Sequence, residues 1–464
     1  MVAAVLRAAA QGRASMPALV FLALLAVAGC APSVATKRAL NTFISAGDYA
    51  GAEAHIQKVK ESPNYGKKNM VLYYLDLGTV QHHAGKYKES DQSFEKAENR
   101  MRELYTKSAT KAVGSMMIND MTTDYAGEAF ERALTNVFRA LNYVFLGDLE
   151  EALVESRKVE VFLDELNRGK EKKNTYKDDA FARYLDGMLY QEAGKSDDAR
   201  ISFEAAERAY GWYASDYNTP LPRFDISEDM SMGELVFLHY AGVAPIKISK
   251  TFQVLWNDAM LAVNSSEMKD DPERNSAQFK NALAAGVAGK SITVSYPEYI
   301  QDPFPIADSD IVVGAQTAPT VLMEDVSAIA HKALKDRQAI IRTKSIARAM
   351  IKYMISQSIN KEMEKKYGAN SLGSVLTKMT TGIASAATEV ADTRSWTLVP
   401  SQIRMARMRL RPGTYSVTAR FKASTGLVMA TKEFPDVVVK KGQRVFLHHR
   451  TACEPGCAAG TGRK

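Results

Sequence analysis

Between about Lys37 and Tyr210, apolar residues recur at helical spacing, and short glycine turns interrupt them at four places. The turns are Gly47-Asp48-Tyr49, Gly85-Lys86-Tyr87, Gly147-Asp148-Leu149 and Gly194-Lys195-Ser196. Each lies between a helical run and a second run that carries Ala or Ser. From about Gly211 the period changes. Runs of alternating or β-branched residues predict strands at Leu235–Tyr240, Ile292–Tyr296 and Asp310–Val313, with Pro-rich loops between them. A long helix is expected from about Glu324 to Lys366, where Ile351, Ile355, Ile359 and Met363 recur every four residues. A second helix, rich in small residues, follows over Leu372–Val390. It reads as the partner of a packed hairpin, or as a basic helix lying on a membrane surface. The last stretch is β: Thr414–Phe421, Leu427–Glu433, Val437–Val439 and Val445–Leu447, separated by Gly426 and Gly442.

Aligned on the four glycines, the helical units resemble tetratricopeptide helix–turn–helix repeats. The second unit carries Tyr74, Leu77 and Gly78, then Ser90, Phe94 and Ala97. The fourth carries Gly187 and Tyr190, then Ala199, Phe203 and Ala206; the third has Ala140, Tyr143 and Ala152, and the first Phe43 and Ala52. Small residues suit close helix crossings, and aromatics fill the gaps between pairs. The glycines are 38, 62 and 47 residues apart, so the array is interrupted, chiefly around Lys107–Glu131. The inner face of such an array would present Leu134, Val137, Leu141, Val144 and Phe145 in the third unit, and Phe181, Tyr184 and Met188 in the fourth. That face is too apolar to stay open. Either the rest of the chain fills it, the preferred reading, or a protein partner binds there, with Leu134, Val137, Leu141, Tyr184 and Met188 as the contacts.

The N-terminus changes the picture of where this fold works. Arg7 and Arg13 precede a short apolar run, Phe21–Gly29, which is too short to span a bilayer. The run ends in Val27-Ala28-Gly29-Cys30, which resembles the lipobox of bacterial lipoproteins. The resemblance implies cleavage before Cys30 and acylation of that cysteine. Ala31, rather than Asp, follows it, which by the sorting pattern of enteric lipoproteins implies the outer membrane, facing the periplasm. No later run of about 20 apolar residues predicts a spanning helix. The precursor carries a net charge of +7, and losing Arg7 and Arg13 leaves +5, too mild to point to nucleic acid.

The sequence yields little catalytic chemistry. Ala284–Ser291 approaches a phosphate loop but has Ala at the first glycine position and follows a helical run instead of a strand, so no nucleotide is expected. No cofactor or catalytic residue is expected either. His82-His83 beside a turn reads as solvated surface. Glu150-Glu151 and Glu324-Asp325 read as helix-start acids. With Cys30 committed to lipid, two cysteines remain. Cys453 and Cys457 flank Glu454-Pro455-Gly456 and suit a small disulfide or a flexible tail; with His448-His449 they form a less favoured zinc set.

The fold class is therefore α+β: a tetratricopeptide-like α-solenoid, a mixed β/helical region and a small C-terminal antiparallel β module. The expected divisions are a signal peptide (1–29), helical repeats (30–210), a mixed β/loop region (211–323), a helical hairpin (324–392), the β module (393–452) and a flexible tail (453–464). Three segments resemble a group of bacterial tetratricopeptide outer-membrane lipoproteins of largely unassigned role. They are Tyr125–Glu131 leading into Ala140-Leu141-Asn142-Tyr143, Gly233–Val236 running to Ala244–Lys247, and Ala391–Trp396. The resemblance implies an envelope location, a non-catalytic role and no known active site. The function expected is a lipid-anchored scaffold or adaptor with an envelope protein partner. The alternatives are an accessory activator of a cell-wall synthase or hydrolase and, less favoured, an enzyme.

Overall fold

The computed structural model describes residues 34–62, 65–108, 123–168, 176–224, 231–263, 291–368 and 390–452. The signal segment, Cys30, the near-phosphate loop apart from Ser291, the small-residue helix up to residue 389, and Cys453 and Cys457 lie outside the described residues.

The helices come first, in pairs: α1 (Val34–Ser45) with α2 (Tyr49–Lys58), α3 (Met70–His83) with α4 (Tyr87–Ser108), α5 (Ala129–Leu146) with α6 (Leu149–Arg168), and α7 (Ala180–Glu192) with α8 (Ser196–Tyr217). All four turn glycines adopt left-handed backbone, with φ of +69°, +75°, +77° and +72° at Gly47, Gly85, Gly147 and Gly194. A Cβ is disfavoured there, and glycine ends each first helix without that cost. Two pairs share one crossing. A Cβ on Gly78 would lie 2.9 Å from the Phe94 ring, and one on Gly187 2.8 Å from the Phe203 ring. The absent side chain is what lets each aromatic ring seat on the facing helix. Carboxylates cap the entries: Asp48 accepts from the Gly51 N–H and Asp179 from the Ala182 N–H, both at 2.8 Å.

Helix α8 runs through Tyr210-Gly211-Trp212-Tyr213, where a boundary was expected. It ends at Asn218, whose φ of +54° makes the left-handed cap, just before Thr219-Pro220. One glycine inside a helix costs only about 1 kcal/mol, which the packing of Tyr210, Tyr213 and Tyr217 overrides.

The strands follow: β1 (Gly233–Ala241), β2 (Ile246–Leu255), β3 (Ser291–Ile300), β4 (Asp308–Val313), β5 (Gln316–Pro319) and β6 (Val321–Asp325), with the short helix α9 (Trp256–Val263) after β2. The long helix α10 (Val326–Tyr367) starts on Asp325, whose carboxylate accepts from the Ala328 N–H at 2.8 Å. Strands β7 (Gln402–Leu410), β8 (Gly413–Lys422), β9 (Val428–Val439) and β10 (Arg444–Thr451) close the chain.

Two four-stranded sheets result, in the orders β10-β1-β7-β6 and β5-β4-β8-β9, and β2-β3 form a separate antiparallel ribbon. The C-terminal strands are therefore not a self-contained module. Strand β7 pairs antiparallel with β1 and β6, β8 pairs with β4, and β10 runs parallel to β1. A cut at residue 393 would separate hydrogen-bonded neighbours.

Strand β1 is buried along its whole length, and its alternation organises the molecule. Leu235 and Phe237 point into the core shared with the second sheet, among Ile311, Met408, Val417 and Phe421. Val236, Leu238 and Tyr240 point the other way, into the helical core with Leu134, Val137, Leu141 and Met188. The order of layers is helices, first sheet, second sheet. Helix α10 leaves this core through Ile329, Ala330 and Leu334. Further along, Ile346, Ala347, Met350 and Ile351 pack on Trp256, Ile292 and Val294. Among the described residues, no helix is long and apolar enough to cross a membrane.

Candidate functional site

The inner face of the helices is occupied by β1 and by the irregular segment 390–401 that leads into β7. Trp396 of this segment is 1 % exposed. Its backbone N–H donates to Glu131 Oε1 at 2.7 Å and its indole Nε1 donates to Thr79 Oγ1 at 2.9 Å. Its ring packs against Phe94 and Phe138, each with centroids 5.7 Å away. Two residues on, the Leu398 N–H donates to Asp76 Oδ1 at 3.0 Å, and Tyr65 Oη donates to Asp76 Oδ2 at 2.9 Å. Lys37 of α1 donates to Ser395 Oγ at 3.2 Å and to the Thr393 carbonyl at 3.4 Å. Arg394 forks onto Asp392 at 2.7 and 2.9 Å and reaches the Thr123 carbonyl at 2.7 Å.

An ion pair shared across three elements flanks this clasp. Glu128, at the start of α5, accepts from Lys247 of β2 at 2.9 Å and pairs with Arg337 of α10. Glu131 closes the same helix start by accepting from the Glu128 N–H at 3.0 Å. Burial pushes the Glu128 carboxyl up, but Lys247 and Arg337 outweigh it and hold it down to about 2. Burial raises Asp76 to about 7 and lowers Lys37 to about 8. Each acid here receives donors from the chain's other half, so the arrangement holds the chain together rather than presenting groups to a substrate. A similar junction lies further along the sheet. Glu234 of β1 accepts from Arg407 of β7 and from Arg444 of β10, and Arg407 also donates to Tyr184 Oη of α7 at 2.7 Å.

A second polar centre is built from α3 and β10. His448 and Arg450 are two apart on β10, so they share its helix-facing side. They meet His82 and His83 there. His82 Nδ1 lies 2.7 Å from Asn142 Oδ1, and its Nε2 lies 3.1 Å from Tyr240 Oη. Asn142 uses its amide N–H on Ser90, so its Oδ1 accepts and His82 carries its proton on Nδ1. Tyr87 Oη lies 2.9 Å from His448 Nε2, and Arg450 Nη1 donates to His83 Nε2 at 3.2 Å. Burial lowers the three imidazoles, His82 to about 4 and His83 and His448 well below their ordinary range.

One ligand nitrogen from each of His82, His83 and His448 lies within 4.8 Å of the others, the spacing a metal would ask for. The charges do not fit a dication. Arg450 lies against His83, and two positive charges on a metal about 4 Å from a guanidinium repel by roughly 8 kcal/mol at an effective dielectric of about 20. His82 also has both nitrogens engaged within the protein.

The structure revises the sequence expectations at several points. Leu134, Val137, Leu141 and Met188 are buried, and Tyr184 is buried with its hydroxyl on Arg407. They face the chain's own strands and present no open groove to a partner. His82-His83 is not solvated surface: β10 covers it. His448 and His449 cannot serve one site, because successive strand residues point apart; His449 faces Phe421, with centroids 5.2 Å apart. Glu150-Glu151 opens α6 as expected. Asp325 caps α10, whereas Glu324 is buried and receives the Tyr213 hydroxyl at 3.1 Å. Sequence reasoning missed Glu131, Asp76, Lys37 and Arg450. Only Asp76 carried a signal, as a charge inside the apolar run Val71–Leu77. No protein-family model matches the chain, and no curated protein matches it.

Proposed function

We propose that the protein is a lipid-anchored scaffold or adaptor of the bacterial cell envelope, held to the outer membrane through Cys30 and facing the periplasm. The observation that supports this reading most is how closely the anchor leads into the core. Val34, the first described residue, lies four residues after Cys30 and is already helical, and Lys37 is tied to Thr393 and Ser395. Four extended residues span at most about 14 Å, so an acylated Cys30 would hold the body flush with the bilayer. The repeated glycine turns and the Gly78–Phe94 and Gly187–Phe203 crossings support a tetratricopeptide-like array, of the kind found in the lipoprotein group that the sequence resembles. Filling of the inner face leaves partner contact to the outer helices, where Val154 and Val161 of α6 and Ile201 and Trp212 of α8 are exposed. Partners of this kind are envelope proteins; nucleic acid and nucleotides are not part of the proposal, and no catalytic step is assigned.

Two experiments test this. Palmitate labelling should mark the wild-type chain and spare Cys30→Ser; equal labelling of both overturns the anchor. Photocrosslinkers placed at Val161 and Trp212 in cells should capture a discrete envelope protein. Capture of a wall synthase or hydrolase, with a rise in its activity on adding the purified chain, would select the activator reading. No adduct from either position in cells overturns the outer-face scaffold.

A further inference from the structure

Strands β8 and β9 are joined by a short turn that closes on itself. The Ala423 N–H donates to the Leu427 carbonyl and the Gly426 N–H to the Ala423 carbonyl, both at 2.9 Å. On this tip Leu427, Val428 and Met429 are 65 %, 42 % and 45 % exposed. Every other exposed large apolar side chain among the described residues stands alone in the sequence, which is ordinary for a protein surface. Three in a row on a hairpin tip are not.

The tip lies at the anchor end of the molecule. Phe421, one residue before β8 ends, has its ring 4.8 Å from His239 and 5.2 Å from His449, near the ends of β1 and β10. At the other end of the same hairpin, a Cβ on Gly233, where β1 starts, would lie 2.5 Å from Val439. The two sheets are therefore aligned, and the tip is at the end where β1 and β10 finish. The helix pairs run along the same axis. Arg444, at the start of β10, donates to the Met188 carbonyl of α7 at 2.5 Å. Arg450, near its end, donates to His83, whose ring is 5.9 Å from that of Tyr49 in α2. The first helix pair, and with it the chain that leads back to Cys30, thus shares an end with the tip.

We infer that the β8–β9 tip inserts Leu427, Val428 and Met429 into the interface of the phospholipid bilayer that carries the anchor. This rests on the reading of Cys30 as the membrane tether. Val428 and Met429 are successive strand residues and point to opposite faces, so apolar surface wraps the tip instead of lying on one side of it. That shape suits a medium that surrounds the tip better than a partner laid against one face. Strand pairing with a second copy is opposed by the edge itself. Pro435, left-handed Asp436 and a register break between Tyr415 and Val417 interrupt β9, and Lys432 is exposed along it. Beside the tip, Arg420, Lys422 and Lys432 against Asp310 and Glu433 leave one positive charge, which favours phosphate head groups. The helices and the second sheet lie on opposite faces of the first sheet. A lipid at Cys30 on one side and an inserted tip on the other together fix the tilt of the body on the membrane, which a single tether leaves free.

The test uses the whole mature chain as Cys30→Ser with an N-terminal hexahistidine tag. It is tethered to vesicles of phosphatidylethanolamine and phosphatidylglycerol that contain a nickel-chelating lipid. The tag supplies the tether, so this readout stands apart from palmitate labelling of Cys30. A benzoylphenylalanine crosslinker is placed at Met429 or at Val438, which is 51 % exposed at the far end of the same strand. Phospholipid adducts are then measured by mass spectrometry. Met429 should give at least about tenfold more lipid adduct than Val438. Leu427→Asp with Val428→Asp should lower the Met429 yield to the Val438 level. Both side chains are exposed, so the thermal midpoint should stay within about 2 °C of the parent, and a fold loss would be seen there. Equal lipid yields at the two positions would overturn the inference. So would an undiminished yield in a folded double variant, or adducts to a second copy of the chain in place of lipid.

Discussion

Replacing Trp396 by Ala tests the contact that joins the two halves of the chain. Trp396 lies in an irregular segment, yet it is almost fully buried and touches α3, α4 and α5 through Thr79, Phe94 and Phe138. Truncating a buried tryptophan costs about 3–5 kcal/mol from lost transfer energy and the cavity left behind. The lost indole hydrogen bond contributes roughly 1 kcal/mol of that kind, and not more, because Thr79 keeps its own bond to the Leu75 carbonyl at 2.8 Å. Trp396→Phe keeps most of the ring and should cost only about 1–2 kcal/mol. Urea unfolding followed by far-UV circular dichroism reports the helices. In a Trp212→Phe background the fluorescence of the variants comes from Trp256, buried beside α10 and β3, and reports the other end of the molecule. Both probes should shift together, with a larger shift for Ala than for Phe. A cost below about 1 kcal/mol for Trp396→Ala would refute the reasoning, since no buried tryptophan should be so easily lost. So would a helical transition unchanged from wild type.

Three further outcomes are expected. Glu128→Gln should flatten the acid limb of the stability profile: the depressed carboxyl stabilises the fold above its ordinary value of 4.5, and that contribution is lost as pH falls towards 2. The wild type should lose about 3 kcal/mol more than the variant over this window, measured by urea titrations at stepped pH. Gly78→Ala should destabilise by about 1–2 kcal/mol and Gly187→Ala by less, because Phe94 is fully buried while Phe203 is only half-buried and can give way. Equal costs measured by thermal melts would contradict the crossing geometry. Glu234→Gln should cost about 3–5 kcal/mol, as it leaves the buried Arg407 without a counter-charge and Arg444 with only Glu192, 3.8 Å away; a neutral effect in calorimetry would contradict the junction.

The helix pairs were legible because their signals are local. A left-handed glycine and a Gly–Phe pair 16 residues apart belong to one hairpin, as at Gly78 and Phe94. Strands β1, β3, β4 and β8 were legible because β-branched and aromatic residues cluster or alternate along them. Strand β7 was hidden by Arg404, Arg407 and Arg409, which break up its apolar pattern. Two of these are explained only by distant acids, Asp308 for Arg404 and Glu234 for Arg407. The clasp was beyond sequence reasoning for the same reason: Lys37 meets Thr393 across 356 residues and Leu398 meets Asp76 across 322. His82-His83 looked like surface because the strand that covers it lies at the other end of the chain. The apolar inner face was the one long-range feature the pattern did raise. An array that buries so much on one side needs something to cover it, and β1 with the 390–401 segment provides that cover.

The central claim is that the chain's second half closes the inner face of its own helices. Hydrogen exchange at the Trp396 and Leu398 amides tests this most directly, because neither belongs to a helix or strand that would protect it. Their acceptors are Glu131 on α5 and Asp76 on α3. In the mature chain both amides should exchange at least about a thousandfold more slowly than in an unstructured peptide, which corresponds to a local opening energy of roughly 4 kcal/mol. Exchange within about tenfold of the unstructured rate would mean that the segment is not seated between the helices, and the account would fail.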